Sequence, residues 1–201
     1  MLHRIMVAFA AAVLLAGCAT VGSYDPAYFD QGGPVDAAAL DGQVLVVTGA
    51  AEDGLVFKGL PTTVYASGYV LELPLGVIVR EAALRAFGEA FRGGAVHGSE
   101  SPSVAHFKAV VAPHVIGLTW EFIPDLGLGS AQVRLEVSVS LIDGAGQVAW
   151  ERRYLSVEDG SKGFSAFENL LSRLAHQAAL KAMRQAAREL STGWSPDSRP
   201  R

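Results

Sequence analysis

With 201 residues, half of them hydrophobic and 18% charged, the chain has the composition of one folded domain and not of a disordered or linker protein. Sixteen basic against 20 acidic residues leave a net charge of −4, which argues against the concentrated Lys and Arg surface that nucleic-acid phosphates require. The single cysteine excludes an internal disulfide framework and an all-cysteine zinc site.

The chain opens Met1-Leu2-His3-Arg4 and continues from Ile5 to Gly17 with only apolar and small residues. A short basic start, about a dozen apolar residues and a small-residue end predict a secretory signal over residues 1–17. The run is shorter than the roughly 20 residues a membrane span needs. Cys18 follows directly behind Leu15-Ala16-Gly17. That four-residue stretch resembles the bacterial lipobox. The resemblance implies cleavage before Cys18, a diacylglyceryl thioether on its sulfur, and acylation of the new amino terminus by a fatty acid such as palmitate. Each buried CH₂ contributes about 0.8 kcal/mol, so several chains together hold a protein almost permanently. Ala19 stands where an Asp favours retention in the inner membrane in well-studied lipoproteins, so the chain resembles the outer-membrane class that faces the periplasm. Two competing readings are an ordinary signal peptide with an incidental cysteine and a retained transmembrane helix. Removing residues 1–17 takes away Arg4 and no acid, so the acyl chains, and not charge, must do the holding.

Residues 18–42 contain Asp25-Pro26 and Gly32-Gly33-Pro34 without a sustained period, which predicts a solvated tether after the lipidated residue, with docking of Tyr24, Tyr28 and Phe29 on the domain as the alternative. A single domain over 43–190 and a disordered tail over 191–201 complete the expected organisation. Within the domain, 43–48 reads as a buried strand and 63–73 as a second strand, with Gly68 marking a bulge. Pro74 opens an amphipathic helix over 75–92, with Leu75, Val79, Ala83, Phe87 and Phe91 along one stripe and Gly93-Gly94 as its stop. Residues 106–122 form a third extended segment that Pro113 and Gly117 interrupt, predicting an edge or a bulge.

Residues 132–141 alternate apolar and polar without a fault, the strongest strand signal in the chain. Asp143-Gly144-Ala145-Gly146 is hairpin chemistry, and 147–157 returns antiparallel with Val148, Trp150, Arg152 and Tyr154 on one side. Ser165-x-x-Glu168 resembles a capping box opening a long helix with Leu170, Leu171, Leu174, Ala178, Ala182, Ala186 and Leu190 inward and His176 among the polar positions. The order predicts an α+β fold, a two-layer sandwich of one mixed, largely antiparallel sheet with two amphipathic helices on one face.

Chemistry is sparse. No zinc-protease, Cys-x-x-Cys, Walker or nucleophile-elbow pattern occurs, so no catalytic residue, metal ligand or cofactor is expected and the chain does not read as an enzyme. His97 and His176 read as solvated. His106 and His114 would share a side of an unbroken strand and approach a carboxylate or a metal there, but Pro113 and Gly117 interrupt the register and a surface or packed histidine accounts for each more simply. The adjacent acids Glu52-Asp53 and Glu158-Asp159, like Asp125 and Asp143, read as solvated turn residues. Arg134, Arg152 and Arg153 suggest a small basic patch or cross-strand pairs with Glu136 or Glu151. Trp120, Phe122, Trp150 and Tyr154 read as core before they read as a binding platform.

The lipobox Leu15-Ala16-Gly17-Cys18, the helix around residues 81–87, the alternating run 132–141 and the helix 165–190 together are similar to small bacterial envelope lipoproteins. The YajG-like group matches most nearly in element order. Auxiliary lipoproteins of ABC-type lipid transporters, the lipoprotein partner of the lipopolysaccharide translocon and lipoprotein activators of peptidoglycan synthases look like relatives at the level of architecture. The resemblance implies a membrane-anchored, non-enzymatic accessory or scaffold component of an envelope assembly or transport system, with a protein partner in the envelope. The alternative is a carrier holding lipid or glycan between sheet and helices, which requires an accessible apolar pocket of several hundred Å³.

Overall fold

The structure is a computed structural model that describes residues 19–29, 40–64, 68–99, 106–125, 128–143, 145–162 and 167–193. The lipobox, most of the tether between residues 30 and 39, Ser165 of the expected capping box and Trp194 lie outside the described residues.

The fold is mixed α/β. A five-stranded, mostly antiparallel sheet runs in the order β5-β2-β6-β7-β8, and a small second sheet runs β1-β4-β3. Its strands are β1 (Ala19–Val21), β2 (Val44–Val47), β3 (Phe57–Gly59), β4 (Val70–Leu73), β5 (Ala95–Gly98), β6 (Ala109–Asp125), β7 (Leu128–Ile142) and β8 (Val148–Lys162). The helices are a single turn, α1 (Ala50–Asp53), and two long ones, α2 (Leu75–Ala90) and α3 (Phe167–Gly193). The single sheet expected from sequence is thus two, and α3 runs on to Gly193, through residues expected to lie in the tail.

The β6–β7–β8 meander is the spine. On β7, Ala131, Val133, Leu135, Val137, Val139 and Leu141 are buried while Arg134 is exposed, as the alternation demands. The β6–β7 register shifts between Val115 and Gly117, leaving Ile116 as the extra residue of a bulge. Before it, Val111 faces Leu141 and Pro113 faces Val139; after it, Leu118 faces Leu135 and Trp120 faces Val133. An odd-numbered inward face therefore becomes an even-numbered one. Without that extra residue Trp120 and Phe122 would turn to the solvent side, because a one-residue slip flips every side chain. The expected interruption at Gly117 is a bulge, and β6 is flanked by β2 rather than lying at an edge. β8 is the edge strand.

The turn between β7 and β8 follows its sequence. The Asp143 carboxylate accepts from the Ala145 and Gln147 amides, each at 2.9 Å, and Gly146 takes the positive φ (+76°) the turn requires. Among the described residues between 63 and 73, Val70–Leu73 is the strand; Gly68 precedes it in a turn. There Thr62 and Thr63 instead bond to the β6 backbone at Trp120 and Phe122.

Both long helices bury their stripes in the same core as β6 and β7. The inward residues of α2 (Leu75, Val79, Ala83, Phe87) and of α3 (Leu170, Leu174, Ala178, Ala182) are all buried. Both helices bury alanines in that core, which permits close approach, and a polar clamp joins them. Arg184 of α3 donates from Nε and Nη2 to both carboxylate oxygens of Glu89 on α2, each at 2.9 Å. Burial alone would raise the Glu89 pKa, but hydrogen bonds from Arg184 and Arg85 hold it below the usual carboxylate value. Gly76 lies where α1 rests on the first turn of α2. A Cβ there would stand 1.7 Å from the Glu52 carbonyl oxygen, so no larger residue fits.

Candidate functional site

The chain enters the fold directly behind the candidate lipidation residue. Ala19, Thr20 and Val21 pair in parallel with Val70, Leu71 and Glu72 of β4. Gly22 follows, where a Cβ would press on the end of the Leu73 side chain. Ser172 of α3 donates to the Ser23 carbonyl at 2.8 Å. A short 3₁₀ turn over Pro26–Phe29 then presses Tyr24, Tyr28 and Phe29 around His176, with ring centroids 5.6, 5.3 and 5.0 Å from the imidazole. The Asp25 amide donates to His176 Nε2 at 3.2 Å. Nε2 is therefore an acceptor, and the ring proton sits on Nδ1, which donates to the Ser172 carbonyl at 2.7 Å.

This corrects two expectations. Residues 19–29 are docked and not a solvated tether, and His176 is fully buried and not solvated. The signal in the sequence was the aromatic density of Tyr24, Tyr28 and Phe29, which a solvated linker has no use for. Burial lowers the His176 pKa; the Ser172 carbonyl and the Asp25 carboxylate act in the opposite direction without cancelling it.

A second polar group forms at the carboxyl end of β2. Thr48 gives its hydroxyl proton to Asp53 Oδ1 at 2.7 Å, so His97 Nε2, 2.8 Å from the same hydroxyl, is the donor of that pair. Asp53 Oδ2 lies 3.6 Å from His97 Nε2, and Arg80 Nη1 lies 3.2 Å from Asp53 Oδ1. Beside them His114 Nδ1 stands 3.4 Å from Glu52 Oε1. The adjacent acids Glu52 and Asp53 are therefore not isolated turn residues; they meet two histidines from β5 and β6. The arrangement does not form a nucleophile and its base. Thr48 is bonded to the carboxylate, and the imidazole points a proton, not a lone pair, at the hydroxyl. His106 precedes β6 and takes part in none of these contacts. Among the described residues no group of three or more His, Cys, Asp or Glu side chains is placed to hold a metal ion.

The arginines do not form one basic patch, because the pleat divides them. Arg152 lies on the helix side of β8, 2.8 Å from Glu189 of α3 and over the Trp150 ring at 5.6 Å. Arg153, on the other side, approaches Glu136 on β7 at 3.9 Å, the cross-strand pairing the sequence suggested. Trp120, Phe122 and Tyr154 are buried and Trp150 half-buried, so the aromatics are core. The Tyr154 hydroxyl donates to Glu189 at 3.0 Å; burial and that carboxylate raise its pKa. Glu158 pairs with Lys181 at 2.6 Å, while Asp159 is exposed.

No helix among the described residues is long and apolar enough to cross a membrane. No protein-family profile matches the chain, and no curated protein matches it. Among solved structures, the chain is similar to a candidate lipoprotein of Caulobacter crescentus at 16% identity, covering 59% of this chain and 81% of that one with a TM-score of 0.40. A minor lipoprotein of Acinetobacter baumannii matches at 14% identity over 74% of this chain and 91% of that one, with a TM-score of 0.35. The PelC dodecamer protein of Paraburkholderia phytofirmans matches at 15% identity over 76% and 93%, with a TM-score of 0.39. With scores this low, neither fold nor role is carried across to this chain.

Proposed function

We propose that this chain is a lipid-anchored lipoprotein, held through Cys18 to the periplasmic face of the outer membrane, whose domain is a non-enzymatic accessory or scaffold component of an envelope assembly or transport system. The observation that carries this reading is the docking of β1. The fold begins one residue after Cys18, so acyl chains on that sulfur hold the domain itself against the bilayer with no slack between them. The meander strands of 15 to 17 residues, at about 3.3 Å each, then extend about 50 Å from one end of the sheet to the other. In this reading the two helices cover one layer of a two-layer sandwich and the opposite face of β7 and β8 is left for an envelope partner. Leu155, 62% exposed between Arg153 and Val157 on that face, marks its centre.

The test is photocrosslinking in intact cells from a reactive residue replacing Leu155, with a second at Glu151. One discrete adduct at Leu155, absent when the reactive residue is placed at exposed Gln185 on α3, is the expected result. Uniform absence of an adduct at both β8 positions contradicts the scaffold reading.

A further inference from the structure

We propose that the end of the molecule at which residue 18 joins β1 is a bilayer-contacting surface, built by Leu60, Val64, Tyr69 and Ile123 with Val21 on its flank, and that it fixes the orientation of the domain on the lipid. The inference rests on the anchor at Cys18 and adds to it a second contact made by the folded chain.

Exposed apolar side chains scattered singly need no explanation. These are not scattered. Val64 is 84% exposed, Val21 67%, Leu60 57%, Ile123 48% and Tyr69 40%. Three chain segments bring them together. Parallel pairing of Ala19 with Val70 puts the start of β4, and Tyr69 just before it, beside the entry of the chain. Antiparallel pairing of Gly59 with Leu71 carries β3 toward that same end, so Leu60 emerges opposite Val70. The segment after Leu60 then crosses to the main sheet. The Thr62 amide donates to the Trp120 carbonyl at 2.8 Å, and the Thr63 hydroxyl donates to the Phe122 carbonyl at 3.1 Å, so the chain runs along β6 toward the end that carries Ile123 as it reaches Val64.

The outer face of the small sheet borders this surface. Leu71 and Leu73 point inward and are fully buried, while Val21, Lys58 and Glu72 lie on the other face, the last two paired at 3.3 Å. The occupant follows from chemistry. A residue bearing acyl chains immediately before Ala19 puts the bilayer within one residue of this surface. The whole chain is net negative, so apolar contact and not attraction to anionic headgroups must supply the binding. Apolar side chains of this kind sink about 5–10 Å into the headgroup and acyl boundary, and a tyrosine suits its polar edge.

The experiment uses the full lipidated protein reconstituted into vesicles of phosphatidylethanolamine and phosphatidylglycerol, some carrying a nitroxide on the acyl chain. With the Cys18 sulfur held in its thioether, Val64→Cys, Ile123→Cys and Gln147→Cys each give one free thiol for an environment-sensitive fluorophore. Gln147, at the opposite end of the meander, is exposed. The label is expected to be blue-shifted and quenched by the nitroxide at residues 64 and 123, at least about threefold more than at 147. Protein that floats with the vesicles while residues 64 and 123 are quenched no more than 147 overturns the inference and leaves the anchor standing. Protein that does not float, or takes label on Cys18 itself, removes the anchor and this inference with it.

Discussion

Trp120→Ala is expected to lower the stability of the domain by about 4 kcal/mol, the range of large aromatic deletions from a closed core. Trp120 is 1% exposed, on the inward face that the Gly117 bulge creates. Its indole Nε1 donates to the Gly59 carbonyl of β3 at 3.3 Å, and its own carbonyl accepts from the Thr62 amide. One side chain thus joins the five-stranded sheet to the small sheet. Its loss leaves a cavity and strips the Gly59 carbonyl of its donor, so the β3–β4 hairpin should loosen before the meander does. Trp120→Phe keeps most of the volume and loses the N–H, and should cost about 1–2 kcal/mol less than the alanine variant. Urea unfolding of the three proteins measures the difference. A loss below about 1 kcal/mol for Trp120→Ala would mean that the sheets are held together elsewhere.

The second large effect is at His176. His176→Ala removes a ring packed by three aromatic side chains and leaves the Asp25 amide without its acceptor, at a cost of about 2–3 kcal/mol. Residues 24–29 should then undock, raising their amide exchange to that of free chain while α3 stays protected. Acid should produce a milder form of the same change. The folded imidazole is held below its ordinary value of 6.5 by burial, so the unfolded chain binds the proton more readily. The stability linked to this residue is complete above about pH 6.5 and is lost as pH falls from there through the lower folded pKa. Protonation also places a second N–H on Nε2, facing the Asp25 amide donor. Protection of the 24–29 amides that is equal at pH 7.5 and pH 5 would contradict this assignment.

Much of the architecture is legible in the sequence, and the parts that are not share a physical cause. β7 is readable because its one buried face enforces strict alternation, and the turn after it because Asp143 and Gly146 are chosen by backbone geometry alone. The stripes of α2 and α3 are readable for the same local reason. By contrast β3, β5 and α1 are three or four residues long, and their existence depends on partners far away: β5 is a strand because β2, some 50 residues earlier, lies beside it. His176 falls on a polar position of its own helix and is buried because Tyr24, Tyr28 and Phe29 pack around it from the far end of the chain, where Asp25, 151 residues away, donates to its ring. The pairings of Asp53 with His97 and Glu52 with His114 are equally non-local, as no spacing within the chain relates them. Gly117 announces an interruption, but only the cross-strand register tells that it exchanges the inward and outward faces of β6.

The account depends most on the fatty thioether at Cys18, and intact mass spectrometry of the protein purified from membranes tests it directly. The predicted result is a chain beginning at residue 18, heavier than the peptide by diacylglyceryl and one amide-linked acyl group, with Cys18→Ser accumulating uncleaved and without that mass. An unmodified amino terminus, cleavage at another residue, or a Cys18→Ser protein processed and held in membranes like the parent would contradict it.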